Sequence, residues 1–561
     1  MSLKLFHTTG FATQPLAPVP TGRAGLRPLW LMVLTSLWVA TACNLALWRA
    51  LHQLHTLDTP RGLLFGAGFG IMIAALTCAL LSLLAWRWTL KPAITLLLLA
   101  AASGSHFMWA YGAVIDSSMM VNVMQTDARE VRDLLSWQLL ASVLVLAVAP
   151  LIWVWRQPLA YGGGWRRLIS NFSIFIASFV LLAGVTAIIY KDFSSVMRNH
   201  TQVRYLINPL NSLYSLGVIA TKPLRRDTSV RLPIGQDARL GAPRGDASRP
   251  PLLVLVLGET ARSASFGING YDRPTTPALA KQNIVSFQNA WSCGTNTAAS
   301  VPCMFAHLDK EGYESRRSEF ESLIDVLARA GLAVLWIDNQ SGCKGVCERV
   351  ANVITSTLKD PELCADGECF DEIMLRGIDQ RMAALPAERR ARGVVVVMHQ
   401  MGSHGPAYFR RSPAAFKKFM PECATNALQN CPREQVVNAY DNTILYTDHF
   451  LSSVIDWLKT QEKSTAPALM YVSDHGESLG ENNIYLHSLP YAIAPDVQKQ
   501  VPWITWFSAR FEQRTGITTA CLKQRAATRI THDHYFHSVL GLLGVQTDLY
   551  DPARDITAHC G

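Results

Sequence analysis

The sequence predicts a membrane domain of five helices over residues 1–190, an interfacial helix and linker at 191–250, and an α/β domain with a mostly parallel central sheet at 251–561. Three observations carry this expectation. Long apolar runs are confined to the first 190 residues, later apolar runs are short and alternate with helical patterns, and the cysteines divide as if the two parts lay in different surroundings.

The five long runs lie at 29–48, 62–86, 93–111, 135–155 and 168–190 and are nearly free of charge. Each is close to the roughly 20 residues that cross a hydrocarbon core of about 30 Å. Trp or Tyr stands at several of their ends, as at membrane interfaces. The segment "VATAC" at 39–43 has the form of a signal-peptidase or lipoprotein site, but the apolar run continues to Trp48 and more spans follow, so the first helix is read as uncleaved. Basic residues in short loops set the orientation. Lys4, Arg23 and Arg27 precede the first run, Arg87 and Lys91 follow the second, and Arg156, Arg166 and Arg167 follow the fourth. The third loop mixes Asp116, Asp127 and Glu130 with Arg129. With the basic loops inside and an odd number of spans, everything after Tyr190 lies outside the cytoplasm.

The cysteines agree independently. Cys43 and Cys78 fall in apolar runs, where a thiol is an ordinary small hydrophobe. Cys293, Cys303, Cys343, Cys347, Cys364, Cys369, Cys423, Cys431, Cys521 and Cys560 all fall in the soluble part. An even number there predicts disulfides in an oxidising compartment such as the periplasm. Their spacings do not form the C-x2-C pairs of a cysteine zinc site. Pairing by nearest neighbour gives 293–303, 343–347, 364–369 and 423–431, with Cys521 and Cys560 left over; the sequence leaves the connectivity open. The net charge of +9 suits work beside anionic lipid. Nucleic acid is excluded as a partner, since the soluble part lies outside and shows no basic run or zinc-finger pattern.

Residues 205–217, "YLINPLNSLYSLG", read as an amphipathic helix on the membrane surface, followed by a linker rich in Arg, Pro and Gly. From Leu252 the apolar runs at 252–258, 332–338, 393–399, 468–474 and 501–508 read as strands buried on both faces. Segments between them, such as 320–331, carry helical periodicity, and the alternation implies an α/β sandwich.

In an open parallel sheet, ligands bind beyond the carboxyl ends of the strands. The first run ends in Glu259 and Thr260, the third in His399 with His404 nearby, and the fourth in Asp474, His475, Gly476 and Glu477. Singly, Glu259 reads as a helix cap, His399 as a satisfied core histidine and "SDHGES" as a polar turn. Jointly they read as one site. Asp, Glu and His without a cysteine pair suit Zn²⁺ or Mn²⁺, held at Glu259, Asp474 and His475 with a position open for a nucleophile or water. The stretch "WSCGTNTAASVPCM", 291–304, offers Ser292, Thr295, Thr297 and Ser300 between Cys293 and Cys303 or just ahead of them. Its residues alone give none of those hydroxyls priority.

The blocks "VLGETARSASFGINGYDRPTTP", "SCGTNTAASVPCM", "MHQMGSHGPAYF" and "YVSDHGESLGENNIYLHSLPYAIAP" resemble the signature blocks of the lipid A phosphoethanolamine transferases, which include the mobile colistin-resistance enzymes, within the alkaline-phosphatase-like and sulfatase-like superfamily. The resemblance spans residues 250–510 and extends to the five-span plan. It implies Thr297 as nucleophile and zinc ligand, with Glu259, Asp474 and His475 completing the zinc site. It implies that Lys344, His404, Glu477 and His487 contact the phosphoethanolamine group, with a second zinc near His404 and His487. "NVMQTDARE" is similar to a lipid-headgroup pattern and supplies Asn122, Thr126 and Glu130, although a short polar loop gives the same letters.

The reaction so implied is a two-step transfer in the bacterial inner membrane by a monomer whose catalytic domain is periplasmic. Thr297 takes phosphoethanolamine from phosphatidylethanolamine, releasing diacylglycerol, and a lipid A phosphate takes it from Thr297. A metal lowers the pKa of a threonine hydroxyl and polarises phosphoryl oxygens. The product is less anionic, which weakens binding of cationic polymyxins. Rival expectations are another phosphotransferase of the superfamily, such as one acting on core sugars, a phosphoglycerol transferase or a sulfatase-like phosphodiesterase, and a non-enzymatic, disulfide-rich ectodomain.

Overall fold

Apolar length dictates the first part. Among the described residues, five helices are long and apolar enough to cross a membrane: Pro28–Gln53, Pro60–Leu83, Leu90–Tyr111, Trp137–Arg156 and Gly164–Asn199. The computed structural model describes residues 25–561 except 127, 226 and 366, and omits the side chains of 128, 129, 222–225 and 227–229. Lys4, Arg23, Asp127 and the Arg129 side chain therefore lie outside the described residues.

Two spans are interrupted. The first changes to a 3₁₀ turn at Ala42–Asn44, and its polar backbone is stitched to the chain beyond the fifth span. Asn208 Nδ2 donates to the carbonyls of Cys43 and Ala101, while Asn208 N donates to Asn44 Oδ1. Buried amides in a membrane require such partners. The fourth widens to a π turn at Leu144–Val148 ahead of Pro150. Proline has no N–H for the carbonyl four residues back, and that Leu146 carbonyl accepts the Trp38 indole N–H at 3.0 Å.

The fifth helix runs past residue 190 because Phe193, Val196 and Met197 pack against the second helix and Asp192 pairs with Arg61 at 2.9 Å. The surface helix starts later than its hydrophobic pattern suggests. Asn208 is engaged in the knot, so the helix begins only after Pro209.

Two helices of this part bear on the site, α1 (Ser117–Gln125) and α2 (Ala128–Leu134) in the third loop, and α3 (Leu210–Arg225) beyond the fifth span packs against α1. Asp116 caps α1 by accepting from Met119 N at 2.8 Å.

The second part is built on an eight-stranded sheet. Its strands are β1 (Pro251–Gly258), β2 (Ile284–Trp291), β3 (Ala333–Asp338), β4 (Ala351–Ile354), β5 (Val394–His399), β6 (Ala466–Ser473), β7 (Gln500–Phe507) and β8 (Ile530–Thr531). The spatial order is β8-β2-β7-β6-β1-β5-β3-β4. Only β7 runs against its neighbours, antiparallel to both β6 and β2. Strands β1, β3, β5 and β6 are buried along their whole length, which is why continuous apolar runs reveal them. Strand β2 alternates, with Val285, Phe287 and Ala290 buried and Gln288 exposed.

Helices cover both faces. The long helix Arg433–Gln461 lays Val436, Tyr440, Ile444 and Leu451 on one side, while Leu323–Arg329 and Tyr535–Leu543 cover the other. Register aligns the strand ends: Leu257 lies opposite His399, His399 opposite Asp338, and Gly258 opposite Ser473. The residues after these strands therefore converge.

Candidate active site

The sheet delivers Glu259 from the end of β1 and Asp474 and His475 from the end of β6, all fully buried. Thr297 arrives from β2, whose end enters a loop closed by the Cys293–Cys303 disulfide, and opens helix α4 (Thr297–Met304). Asn296 caps that helix by accepting from Ala299 N at 2.9 Å. The cap orients the first turn so that Thr297 Oγ1 lies 3.2 and 3.1 Å from the Glu259 oxygens and 3.5 Å from His475 Nε2.

His475 Nε2 is 3.4 Å from Glu259 Oε1 and 3.3 Å from Asp474 Oδ2. Its Nδ1 lies 2.9 Å from the Gly476 carbonyl, which calls for an N–H there and aims Nε2 into the cluster. Thr260 keeps this corner tight. Its φ is +60°, unusual for a β-branched residue, and its amide donates to Asp474 Oδ1 at 3.1 Å. At Gly402, φ +54°, a Cβ would come 2.6 Å from the Glu259 carbonyl.

Buried like charges need compensation. Glu259 is opposed by burial, yet its His475 partner holds it well below the usual carboxylate range. Burial, with the Glu259 charge, pushes Asp474 up to about 6. His475, also against burial, is held up to about 10 by Asp474 and Glu259. Asp474 Oδ2 has no hydrogen-bond partner among the described residues. These residues fit a tetrahedral divalent ion. Ligands at about 2.0–2.1 Å from Zn²⁺ stand roughly 3.3 Å from one another, and the approaches of Thr297 to Glu259 and His475, and of His475 to Glu259 and Asp474, fall between 3.1 and 3.5 Å. Among the described residues, Glu259, Asp474 and His475 are the one group arranged to hold a metal.

The remaining sequence-predicted residues divide. Glu477 is buried and pushed up to about 8 by burial; it lies 3.3 Å from His487 Nδ1. The His487 ring is 4.4 Å from that of His475 and 5.6 Å from that of His404, and burial pushes its pKa well down. Glu130, from α2, reaches across from the membrane domain to 3.9 Å from His404 Nε2 and accepts from Gln340 Nε2 at 3.3 Å. Asn122 and Thr126 are brought to each other, Thr126 Oγ1 donating to the Asn122 carbonyl at 2.8 Å, while α1 packs against α4. Lys344 donates to Ser341 Oγ at 2.8 Å and lines a cavity together with Asn296 and Ala298, the chain neighbours of Thr297. The soluble part holds five disulfides, Cys293–Cys303, Cys343–Cys347, Cys364–Cys369, Cys423–Cys431 and Cys521–Cys560; Cys43 and Cys78 are free thiols.

Two buried residues carry no sequence signal. His532 Nδ1 accepts from Cys293 N at 3.1 Å, and its Nε2 lies 3.1 Å from the Ser473 carbonyl, so it joins the Thr297 loop to β6. Asp371 accepts from Met401 N at 2.8 Å and Gly402 N at 3.0 Å, fixing the loop that leads to His404. Strand β8, two residues long, gives no apolar run to mark His532 as a strand-end residue.

The arrangement is a buried group able to hold a metal, facing a hydroxyl at a helix N-terminus, and is suited to holding a phosphoryl group. Comparison with known proteins agrees with it. The family profile "Sulfatase" matches residues 251–545, and "Phosphoethanolamine transferase EptA/EptB" matches 73–224. The chain is 37% identical to phosphoethanolamine transferase EptA of Escherichia coli K12 over 547 residues, covering 96% of this chain and 98% of that one. It is 34% identical to phosphatidylethanolamine transferase Mcr-1 of Escherichia coli, covering 94% and 96%. The solved structure of the integral membrane protein lipooligosaccharide phosphoethanolamine transferase A from Neisseria meningitidis superposes with a TM-score of 0.89 at 36% identity, covering 95% of this chain and 98% of that one.

Proposed function

Because the chain belongs to the phosphoethanolamine transferase EptA/EptB family, we propose that it carries phosphoethanolamine from phosphatidylethanolamine to a phosphate of lipid A by way of a covalent ester on Thr297. It is a multi-pass inner-membrane protein with a periplasmic catalytic domain. The observation that carries the reading is Thr297 Oγ1 at 3.1 Å from Glu259 and 3.5 Å from His475, at the start of a helix.

Zinc is the ion we assign to Glu259, Asp474 and His475, where it would polarise phosphoryl oxygens and favour the threonine alkoxide. In the first step Thr297 Oγ1 loses its proton and bonds to phosphorus, the bond from phosphorus to the glycerol oxygen breaks, and diacylglycerol leaves as an alcohol having gained one proton. In the second, an oxygen of the lipid A phosphate bonds to phosphorus, the bond to Thr297 breaks, and the acceptor's proton restores the hydroxyl. Glu259 accepts the Thr297 hydrogen bond in the resting state; Glu477 and His487 flank the space for the ethanolamine phosphate. The product carries less negative charge, which supports a role in resistance to colistin.

The test is mass spectrometry of lipid A from cells expressing wild type or Thr297→Ala. The expected result is a phosphoethanolamine adduct with wild type only. An adduct persisting with Thr297→Ala removes the nucleophile; an adduct found on core sugars instead redirects the acceptor.

A further inference from the structure

Between α1 of the membrane domain, the first turn of α4 and the chain from His307 to Ser322 lies a cavity of about 1440 Å³. It exceeds the roughly 300–1,000 Å³ of an ordinary small-molecule pocket. Asn296 and Ala298, on either side of Thr297 in the chain, form part of its wall, whereas Glu259, Asp474 and His475 do not. Thr297 itself is not among the wall residues either, so the cavity adjoins the first turn of α4 and lies outside the metal group.

Its charge is unbalanced where it matters. The carboxylates on its wall are occupied: Asp116 caps α1, Glu321 pairs with Arg329 at 2.7 Å and Glu319 with Arg316 at 3.3 Å. Glu314 stays 3.8 Å from Lys310 with its side chain 64% exposed. Against these, Arg231 donates to the Gly345 carbonyl at 2.9 Å, Arg317 is exposed, and Lys310 Nζ is buried without a hydrogen-bond partner among the described residues, 2.8 Å from the centre of the Tyr491 ring. These three line the cavity together with Arg316, which Glu319 holds, and Lys344, which donates to Ser341 Oγ.

We propose that this cavity receives the sugar headgroup of the acceptor, a glycolipid bearing a second phosphate, and that Arg231, Lys310 and Arg317 hold that second phosphate while the first meets Thr297. The inference rests on the phosphoethanolamine transfer reading. One argument favours the acceptor over the donor, and two more suit a phosphate-bearing lipid of either kind. The donor headgroup is zwitterionic and small, so neither the volume nor the excess of cations suits it. One wall comes from α1, just beyond the third membrane helix, so the occupant reaches in from the bilayer. Charge-assisted bonds from arginine and lysine are the strong contacts available to a phosphate. Burial also pushes the Lys310 amine down to about 8, and a phosphate partner would restore the stability of its charged form.

The experiment uses full-length protein in mixed micelles with phosphatidylethanolamine as donor and bisphosphorylated or monophosphorylated lipid A as acceptor. Arg231→Gln, Lys310→Gln and Arg317→Gln are expected to raise KM for the bisphosphorylated acceptor about tenfold each, as loss of a charged hydrogen bond implies, with kcat within about twofold and little change for the monophosphorylated one. Arg317 is exposed, so its variant is not expected to disturb folding, and Arg317→Lys should recover most of the loss. Unchanged KM in the triple variant overturns the proposal. So does an equal rise for both acceptors, or a matching fall in diacylglycerol release measured without acceptor, which would assign the cavity to the donor. Wild-type protein that releases no diacylglycerol alone counts against the Thr297 ester, while the KM comparison still decides the cavity.

Discussion

Thr297 Oγ1 has Glu259 and His475 as its polar neighbours, so its replacement has a defined expectation. Thr297→Ala should reduce transfer by at least about 10³-fold, the scale on which nucleophiles act, and Thr297→Ser should retain part of it; full activity in the alanine variant, read by lipid A mass spectrometry, contradicts the role. Removing metal with a chelator should lower the unfolding temperature, since an ion bound only by the folded state stabilises it, and zinc should restore it. No change in unfolding temperature on chelation counts against a resident ion. His532 offers a third measurement. Burial pushes its imidazole down to about 3, so the unfolded chain takes up a proton below about pH 6.5 that the folded chain refuses. Its stabilising contribution is complete above that pH and is lost as pH falls towards 3. The stability difference between wild type and His532→Asn should shrink by about 1.4 kcal/mol per pH unit below 6.5; a constant difference from pH 7 to 5 contradicts this.

At the scale of elements, what could be read depended on burial. Strands β1, β3, β5 and β6 are buried on both faces, and unbroken apolar runs betray them together with the residues at their ends. Strand β2 shows one face to solvent, and β4 and β8 are too short to carry a pattern, so the route by which Thr297 arrives was not legible. Nor did periodicity separate Thr297 from Thr295 or Ser300; family likeness did. In the structure Thr295 Oγ1 donates to the Leu489 carbonyl and Ser300 Oγ to the Asp474 carbonyl, leaving Thr297 as the hydroxyl that faces Glu259. The disulfide across this loop should matter. Opening Cys293–Cys303 by a double Cys→Ser change should cost about 2–3 kcal/mol, measured by denaturant unfolding, and should depress kcat because the α4 cap loses its fixed approach; an unchanged kcat contradicts that dependence.

At the scale of the whole molecule, the two parts meet at a buried ion pair. Asp133 from α2 pairs with Arg411 at 2.6 Å, both side chains 3% exposed, and its carbonyl accepts from Asn426 Nδ2 at 2.7 Å. Tyr111, the end of the third membrane helix, donates to the Asn426 carbonyl at 3.2 Å. No sequence pattern announces such a contact, because its partners lie far apart in the chain. Asp133→Ala leaves Arg411 with Glu368 as its carboxylate partner, so the change should cost about 1.5–3 kcal/mol, the scale of a lost charged hydrogen bond, seen as faster amide exchange across α2; unaltered exchange contradicts a bracing role. With α1, just beyond the third membrane helix, packed against the helix that begins at Thr297, the proposed active site adjoins the membrane domain. Collision there occurs in two dimensions, so turnover should follow the mole fraction of donor lipid in the surface rather than its bulk molarity. Diluting vesicles with inert lipid should slow the enzyme, whereas diluting the same vesicles with buffer should not.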